Sequence, residues 1–165
     1  MEGSKIERLE MNYNILVVDD EELILEGIGE YLKEAGYVVL RAMDGIEAME
    51  LFDKYSIHLI VLDLLLPKKD GFEVLREIRS KSAVPIIILS ALEDEPIQLK
   101  GFDLKADDYV VKPVSLALLQ KRVEVLLERH YREHDIWKYK DSEIFLEQCK
   151  QSCYERYYIR CCVER

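Results

Sequence analysis

The stretch LIVLDLLLPKKDGFEVL, residues 59–75, decides the fold class of this chain. It begins with a short apolar run rich in β-branched residues, which is typical of a strand buried on both faces of a parallel sheet. The run ends at Asp63, and the pair Asp70-Gly71 then precedes apolar residues at helical spacing. A buried strand followed by an amphipathic helix indicates one unit of an α/β fold.

The same alternation recurs along the chain, whose 165 residues suffice for one ordinary domain and a short appendage. Five short apolar runs are bounded by charged or turn residues, and a helical pattern follows each of them. Because crossovers between parallel strands are right-handed, this alternation predicts a doubly wound parallel sheet. The predicted strands are residues 14–18, 37–41, 59–62, 85–89 and 109–111.

The intervening helices carry end signals of their own. Gly36 stands where the first helix should stop. Asp44 followed by Glu47 predicts a capping box at the start of the second helix, and Ser115 is expected to cap the fifth. The apolar stripe of the first helix is expected to consist of Leu23, Ile24, Ile28, Tyr31 and Leu32.

The composition argues against several classes of protein. Hydrophobic residues make up 49% and charged residues 34% of the chain, as in a globular protein. The net charge of −10 argues against a broad nucleic-acid-binding surface, which needs clustered lysine and arginine. No apolar run approaches the roughly 18 residues of a membrane span, and residues 1–11 lack the apolar core of a secretory signal. A cytoplasmic protein with no membrane segment is expected.

Polar side chains follow the predicted strands at the point where each strand ends. Asp19 and Asp20 follow the first strand, Asp63 the third, Ser90 the fourth and Lys112 the fifth. The carboxyl ends of parallel strands meet at one edge of the sheet, where ligands bind in folds of this kind. Three carboxylates crowded together repel each other unless a cation lies among them, and an all-oxygen set favours Mg²⁺.

This set of side chains suits phosphoryl transfer. A carboxylate beside Mg²⁺ can attack phosphorus, while an ammonium and a hydroxyl stabilise charge on the transferred group, so that an aspartyl phosphate forms. Taken one at a time, each residue has a plainer interpretation: a helix cap for an aspartate, a turn residue for Ser90 and a solvated charge for Lys112. The convergence of five such residues favours the functional interpretation.

The motifs NILVVDDEELI, IVLDLLLPKKDGFEVL, PIIILSALEDE and KADDYVVKPVSLALLQKRVEVLLER strongly resemble the receiver domain of two-component response regulators. The resemblance covers residues 12–130, leaving an N-terminal extension of residues 1–11 and a tail of residues 131–165. It implies a flavodoxin-like strand order, 2-1-3-4-5, and a switch that catalyses only its own phosphorylation and dephosphorylation. A sensor histidine kinase would be the partner that supplies the phosphoryl group.

The resemblance also implies a role for each site residue. Asp63 would be the phosphoacceptor, with Ser90 and Lys112 stabilising the phosphoryl group, and the Lys112–Pro113 bond is expected to be cis. Tyr109 resembles the switch aromatic, whose ring turns inward when Ser90 is drawn toward the phosphate. The Mg²⁺ site, which would also accept Mn²⁺, is implied for Asp19, Asp20, Asp63 and the backbone carbonyl of Leu65.

The region around the fifth helix most resembles the winged-helix transcriptional class of response regulators. In that class the active receiver forms a homodimer through helix four, strand five and helix five. The residues at the positions of its interface ion pairs are Asp107, Asp108, Arg122 and Lys100. A solvated charged face is the plainer interpretation. The chain departs from the family at Lys105, where glycine is usual, so a turn with positive φ is expected to be strained there.

The tail leaves three interpretations open. Residues 137–148 faintly resemble the linker and first strand of a winged-helix effector, which indicates a truncated or diverged remnant. Spacings of four among Phe145, Cys149, Cys153 and Tyr157 fit an amphipathic docking helix instead, and a disordered tail is the third interpretation. The four cysteines, all within this tail, lack the paired spacing of common zinc sites, so reduced thiols are expected. Without a helix-turn-helix, this chain alone is not expected to bind DNA.

Three rival functions are weaker. A haloacid dehalogenase type of phosphatase also uses an aspartate nucleophile and Mg²⁺, but it needs a second aspartate two residues later, where this chain has Leu65. A nucleotide-binding module would need a glycine-rich phosphate loop, and neither common form of that motif occurs. A pure interaction module, which binds partners without phosphorylation, would not need the five site residues.

Overall fold

The computed structural model describes residues 13–91 and 95–135. The N-terminal extension and residues 136–165 of the tail, with all four cysteines, lie outside the described residues. The described chain forms five strands that alternate with five helices. These elements are β1 (Asn14–Val18), α1 (Glu22–Glu34), β2 (Val38–Ala42), α2 (Gly45–Lys54), β3 (Leu59–Asp63), α3 (Gly71–Lys81), β4 (Ile86–Ser90), α4 (Glu95–Asp103), β5 (Asp108–Val111) and α5 (Leu116–Asp135).

The five strands form one parallel sheet in the order β2-β1-β3-β4-β5. This order confirms the doubly wound sheet and the flavodoxin-like topology expected from the sequence. The order reverses beside β1, so β1 and β3 form the switch point at which ligands bind in open α/β sheets. The register pairs Asp63 with Leu89 and Ser90 with Val111, which brings the carboxyl ends of the last three strands to one level.

Alternate residues of each strand enter two separate apolar cores, one on each face of the sheet. On one face, Leu16, Ile60 and Ile88 pack with residues of α2 and α3. On the other face, the central strands pack with residues of α1 and α5. Both faces of β3 and β4 are fully covered, as a parallel sheet with helices on both sides requires. None of the described helices combines the length and apolar character of a membrane-spanning segment.

Helix α1 corrects one prediction and confirms another. Leu23 is 84% exposed and does not belong to the buried stripe, whose members are Leu25, Ile28, Gly29 and Leu32. Gly36 has a φ of 94° and ends the helix as expected, because its N–H donates to the carbonyl of Lys33 while the N–H of Tyr37 donates to that of Leu32. Since Tyr37 still closes the last helical turn, β2 begins one residue later than predicted.

The capping box of α2 is present in a shifted form. The side chain of Asp44 accepts hydrogen bonds from the N–H groups of Ile46 and Glu47. The Glu47 carboxylate accepts from the N–H of Met43, one residue before the cap, at 2.8 Å. The donors at this helix start are therefore satisfied much as the sequence predicted.

Two lysines occupy backbone conformations that favour glycine. Lys105 has a φ of 64°, which confirms the positive φ expected at that turn. Lys68, in the loop between β3 and α3, has a φ of 65°, and the sequence did not predict this. Its ammonium lies 2.5 Å from Oδ2 of Asp44, which ties the loop to the start of α2.

Candidate functional site

The functional site lies at the carboxyl edge of the sheet, where four strand ends meet. Asp63 and Ser90 are the last residues of β3 and β4, Asp19 directly follows β1, and Lys112 directly follows β5. The side chains of Asp19, Asp63 and Ser90 are buried, although each of them is polar. Each buried polar side chain needs a polar or charged partner. A group of such side chains at one edge of the sheet therefore indicates a preorganised site.

The Lys112 ammonium provides that partner for two carboxylates at once. Its Nζ lies 2.7 Å from Oδ2 of Asp63 and 2.8 Å from Oδ2 of Asp19. A third carboxylate oxygen, on the exposed side chain of Glu21, lies 3.2 Å away. The sequence singled out Lys112, Asp19 and Asp63 but missed Glu21, which no spacing rule distinguishes from a surface residue at a helix start. The bond between Lys112 and Pro113 is cis, as expected.

The electrostatics of this cluster follow from burial and charge. Burial raises the pKa of Asp19, and the nearby charge of Asp63 adds to that effect, while hydrogen bonds from Lys112 and from the N–H of Glu21 oppose it. Burial alone would lower the pKa of Lys112, but the hydrogen bonds and charges of Asp19 and Asp63 outweigh it and raise that pKa. Lys112 therefore stays charged throughout the physiological pH range.

Three carboxylates of the site could hold one divalent cation. Asp19, Asp20 and Asp63 each offer an oxygen, and these oxygens lie within 4.8 Å of one another. Oδ2 of Asp19 is buried and pairs with the Lys112 ammonium. Oxygen ligands of this kind fit Mg²⁺. The N–H of Leu65 donates to Oδ1 of Asp63 at 3.0 Å, which places Leu65 beside the cluster.

The hydroxyl and the aromatic side chain predicted to act together lie on neighbouring strands. Ser90 ends β4, and Tyr109 pairs with Ile88 two residues earlier on that strand. The Tyr109 ring is half-buried and packs against the apolar core on the α2 and α3 side. A Cβ atom placed at Gly101 of α4 would lie 3.6 Å from this ring, so the ring lies close to α4 as well as to the core.

The residues predicted to form a dimer face divide into two groups. Within one chain, a guanidinium nitrogen (Nη1) of Arg122 lies 2.6 Å from Oδ2 of Asp108, joining α5 to the start of β5. Asp107 instead pairs with Arg79 of α3, at 2.8 Å, a contact that the sequence did not predict. The side chain of Lys100 lies outside the described part of the structure.

Comparison with known proteins identifies the family. Residues 15–124, which include every site residue named above, match the family described as the response regulator receiver domain. The chain belongs to this family. Receiver domains act in two-component signalling, in which phosphorylation activates them. The family predicted from the sequence is thereby confirmed, whereas the roles of individual residues stay predictions.

Curated relatives of this receiver domain are longer proteins. Response regulator RR06 of Streptococcus pneumoniae is 56% identical over 131 residues, which are 79% of this chain and 60% of the relative. Regulatory protein VanRB of Enterococcus faecalis is 42% identical over 119 residues, which are 72% of this chain and 54% of the relative. The chain thus spans less than two thirds of the length of these relatives.

Solved structures share the fold of this receiver domain. The receiver domain of the Francisella response regulator 1452 has a TM-score of 0.69 and 35% identity, covering 72% of this chain and 99% of that one. DrrB of Thermotoga maritima, described as an OmpR/PhoB homolog, has a TM-score of 0.66 and 37% identity, covering 73% of this chain and 54% of that one. These similarities indicate that the chain is related to the OmpR/PhoB class of response regulators.

Proposed function

We propose that this receiver domain accepts a phosphoryl group on Asp63 from the phosphohistidine of a sensor histidine kinase, in a reaction that depends on Mg²⁺. The observation that carries the proposal is the position of the Lys112 ammonium, within 2.8 Å of both Asp63 and Asp19 at the switch point of the sheet. A buried aspartate held beside a permanent positive charge and two further carboxylates suits an acceptor of a charged group.

The transfer would exchange one bond to phosphorus for another. An oxygen of the Asp63 carboxylate attacks the phosphorus atom, and an aspartyl phosphate forms as the phosphorus–nitrogen bond to the histidine breaks. The electron pair of the broken bond returns to the imidazole ring of the kinase. The hydrogen bond from the N–H of Leu65 to Oδ1 orients the Asp63 carboxylate, and the ion pair with Lys112 engages Oδ2.

The surrounding residues would stabilise charge on the transferred group. The Lys112 ammonium lies beside the attacking carboxylate, and the Ser90 hydroxyl emerges from the neighbouring strand at the same edge. When bound, Mg²⁺ neutralises negative charge on the phosphoryl oxygens. We assign its protein ligands to Asp19, Asp20, Asp63 and the backbone carbonyl of Leu65, and we expect Mn²⁺ to substitute for it.

The structural response would pass from the phosphoryl group to the face formed by α4, β5 and α5. Ser90 moves toward the phosphoryl oxygens, and the Tyr109 ring turns inward into the space that the hydroxyl leaves. Leu118 and Val125, which are 51% and 49% exposed, lie on the same face of α5 as Arg122. A second copy of the domain would cover these apolar side chains in a phosphorylated homodimer.

On this proposal the chain is a signalling switch and catalyses only its own phosphorylation and dephosphorylation. Its kinase partner presents the phosphohistidine in the cytoplasm, so we place the chain there. The curated relatives include transcriptional regulators, and regulation of transcription is the output proposed for the protein as a whole. At the position where a haloacid dehalogenase type of phosphatase needs its second aspartate, the Leu65 side chain is apolar and exposed.

Labelling by a small phosphodonor tests the proposal. The wild type should incorporate one phosphoryl group from acetyl phosphate when Mg²⁺ is present, as detected by intact-protein mass spectrometry. Asp63→Asn should remain unlabelled because the amide cannot attack phosphorus. Asp53→Asn, the same change at an exposed aspartate of α2, is the matched control and should be labelled like the wild type. Full labelling of the Asp63 variant would contradict the proposal.

A further inference from the structure

Lys68, in the loop between β3 and α3, has a backbone conformation that lysine rarely adopts. Its φ is 65°, and the N–H of Lys69 donates to the carbonyl of Pro67 at 2.7 Å, which closes a three-residue turn around it. A turn of this kind is strained when its central residue carries a Cβ atom. Such strain persists only where neighbouring contacts hold it, and it clusters at functional segments. Contacts around Lys68 must therefore hold the turn.

The ion pair with Asp44 is the first of these contacts. The Lys68 ammonium lies 2.5 Å from Oδ2 of Asp44, whose side chain is only 10% exposed. Oδ1 of the same carboxylate accepts hydrogen bonds from the N–H groups of Ile46 and Glu47 at the start of α2. Both oxygens are engaged, so the carboxylate is a fixed anchor. Because the Lys68 side chain is exposed, the pair adds little stability, and its effect is expected on the position of the loop.

The backbone of the loop also lies directly against the start of α2. A Cβ atom at Gly45, the first residue of α2, would lie 2.5 Å from the carbonyl oxygen of Lys69. Only a residue without a Cβ atom permits this approach. The adjacent residues Lys68 and Lys69 thus meet the adjacent residues Asp44 and Gly45, and the loop is seated on the start of α2.

The chain has little slack between Lys68 and the functional site. Leu65 comes three residues before Lys68, and its N–H donates to Oδ1 of Asp63 at 3.0 Å. Of the two residues between them, Leu66 packs against the apolar core and Pro67 has a φ fixed by its ring. A shift of the turn at Lys68 would therefore move the backbone of Leu65.

We propose that Lys68 is a positioning residue for the metal site. Its ion pair with Asp44 holds the strained turn, and with it the Leu65 carbonyl, in position for the metal. The strain lowers the stability of the fold, while the position that it maintains raises the affinity for Mg²⁺. This inference rests on the proposed function, because the Leu65 carbonyl is one of the ligands assigned above to Mg²⁺.

Opposite effects on stability and on metal affinity would distinguish this role from a merely structural one. NMR chemical-shift titration of the full chain gives the dissociation constant of Mg²⁺, and urea titration without Mg²⁺ gives the free energy of unfolding. Lys68→Gly removes both the strain and the ion pair. We expect this variant to be at least as stable as the wild type and to bind Mg²⁺ about tenfold more weakly.

Lys105→Gly is the matched control, because it is the same change at another lysine with a positive φ. It should gain stability and bind Mg²⁺ like the wild type. Loss of Mg²⁺ affinity in this control as large as that in Lys68→Gly would overturn the inference, since relief of strain anywhere would then be enough to weaken the site.

Two further variants isolate the ion pair. Lys68→Met keeps the Cβ atom and its strain, whereas Asp44→Ser keeps a capping oxygen but loses the charge. Each should weaken Mg²⁺ binding about as much as Lys68→Gly, and their combination should weaken it no further, since both changes break one contact. Lys81→Met, which breaks an ion pair with Asp53 in the last turn of α2, should leave the Mg²⁺ affinity unchanged.

Two results with these variants would also overturn the inference. Unchanged Mg²⁺ affinity in both Lys68 variants would show that the loop keeps its position without the ion pair. Weaker binding in the Lys68 variants but not in Asp44→Ser would show that the lysine acts without its anchor. A wild type whose chemical shifts do not respond to Mg²⁺ would instead overturn the proposed metal site, on which the inference rests.

Discussion

At the scale of single residues, Lys112 determines the character of the site. Without it, the buried carboxylates of Asp19 and Asp63 would repel each other, and the pKa of Asp19, which burial already raises, would rise further. The ammonium lies within 2.8 Å of both carboxylates and offsets this repulsion, which suits the proposed roles of Asp19 as a metal ligand and of Asp63 as the nucleophile. The sequence predicted these three residues because they directly follow or end strands that must be parallel.

Lys105 yields a prediction about stability. Its φ of 64° strains a side chain with a Cβ atom, whereas glycine adopts this conformation freely. Lys105→Gly should therefore raise the free energy of unfolding by about 1 kcal/mol in urea titrations, while Lys105→Ala, which keeps the Cβ atom, should bring no such gain. A destabilised glycine variant would show that the lysine side chain contributes more than the backbone strain removes.

The sequence revealed some residues of the site and hid others for a physical reason. Strand-end residues are visible because a short apolar run fixes where the chain leaves the sheet. Glu21 and Arg79 were missed because their partners lie far away in the sequence, at Lys112 and Asp107. Only the packing of strands and helices brings such pairs together.

At the scale of elements, the start of α3 is fitted closely to the end of β3. A Cβ atom at Gly71 would lie 2.3 Å from the backbone oxygen of Asp63, far inside any real contact. The N–H of Gly71 also donates to the carbonyl of Leu64 at 3.1 Å. The Asp70-Gly71 pair thus lets the helix begin directly against the strand that carries the proposed phosphoacceptor.

Gly71→Ala should therefore impair both folding and labelling. We expect the free energy of unfolding to fall by roughly 2 kcal/mol or more, since backbone atoms must move to admit the new methyl group. The rate of labelling by acetyl phosphate should fall as Asp63 is displaced. Gly27→Ala is the control, because a Cβ atom there meets nothing within 4 Å and alanine favours the helix. Unchanged labelling and stability in the Gly71 variant would contradict this view of the β3–α3 junction.

Helix α1 shows where periodicity alone misled. Leu23 and Ile24 both fit an apolar stripe, but the helix is rotated so that Leu25 faces the sheet and Leu23 faces solvent. The existence and the C-terminal end of the helix were predicted correctly, because Gly36 carries a conformational requirement that other residues meet poorly. The side that a helix buries depends instead on the neighbouring elements.

At the scale of the whole molecule, the acidic cluster links metal binding to folding. Mg²⁺ that binds the native site, and not the unfolded chain, should stabilise the fold by mass action. At ten times the dissociation constant this amounts to about 1.4 kcal/mol, or several degrees in Tm. Differential scanning calorimetry should show the rise for the wild type and for Asp53→Asn. Asp20→Asn should lose most of it, and an undiminished rise in that variant would remove Asp20 from the metal site.

The fold as a whole was the most predictable feature, since five apolar runs with helices between them leave few alternatives to one parallel sheet. The dimer face was the least predictable, because one chain can satisfy Asp107 and Asp108 internally through Arg79 and Arg122. The sequence alone does not reveal whether a charged surface residue pairs within its own molecule or with a second copy.

The identity of the phosphorylated atom tests the account most directly. After reaction with acetyl phosphate and Mg²⁺, reduction with borohydride converts an aspartyl phosphate to homoserine, which peptide mass spectrometry locates. The account predicts homoserine at position 63 alone. Homoserine at Asp19 or Asp20, or its absence from a protein that retains its fold, would contradict the assignment of Asp63 as the phosphoacceptor.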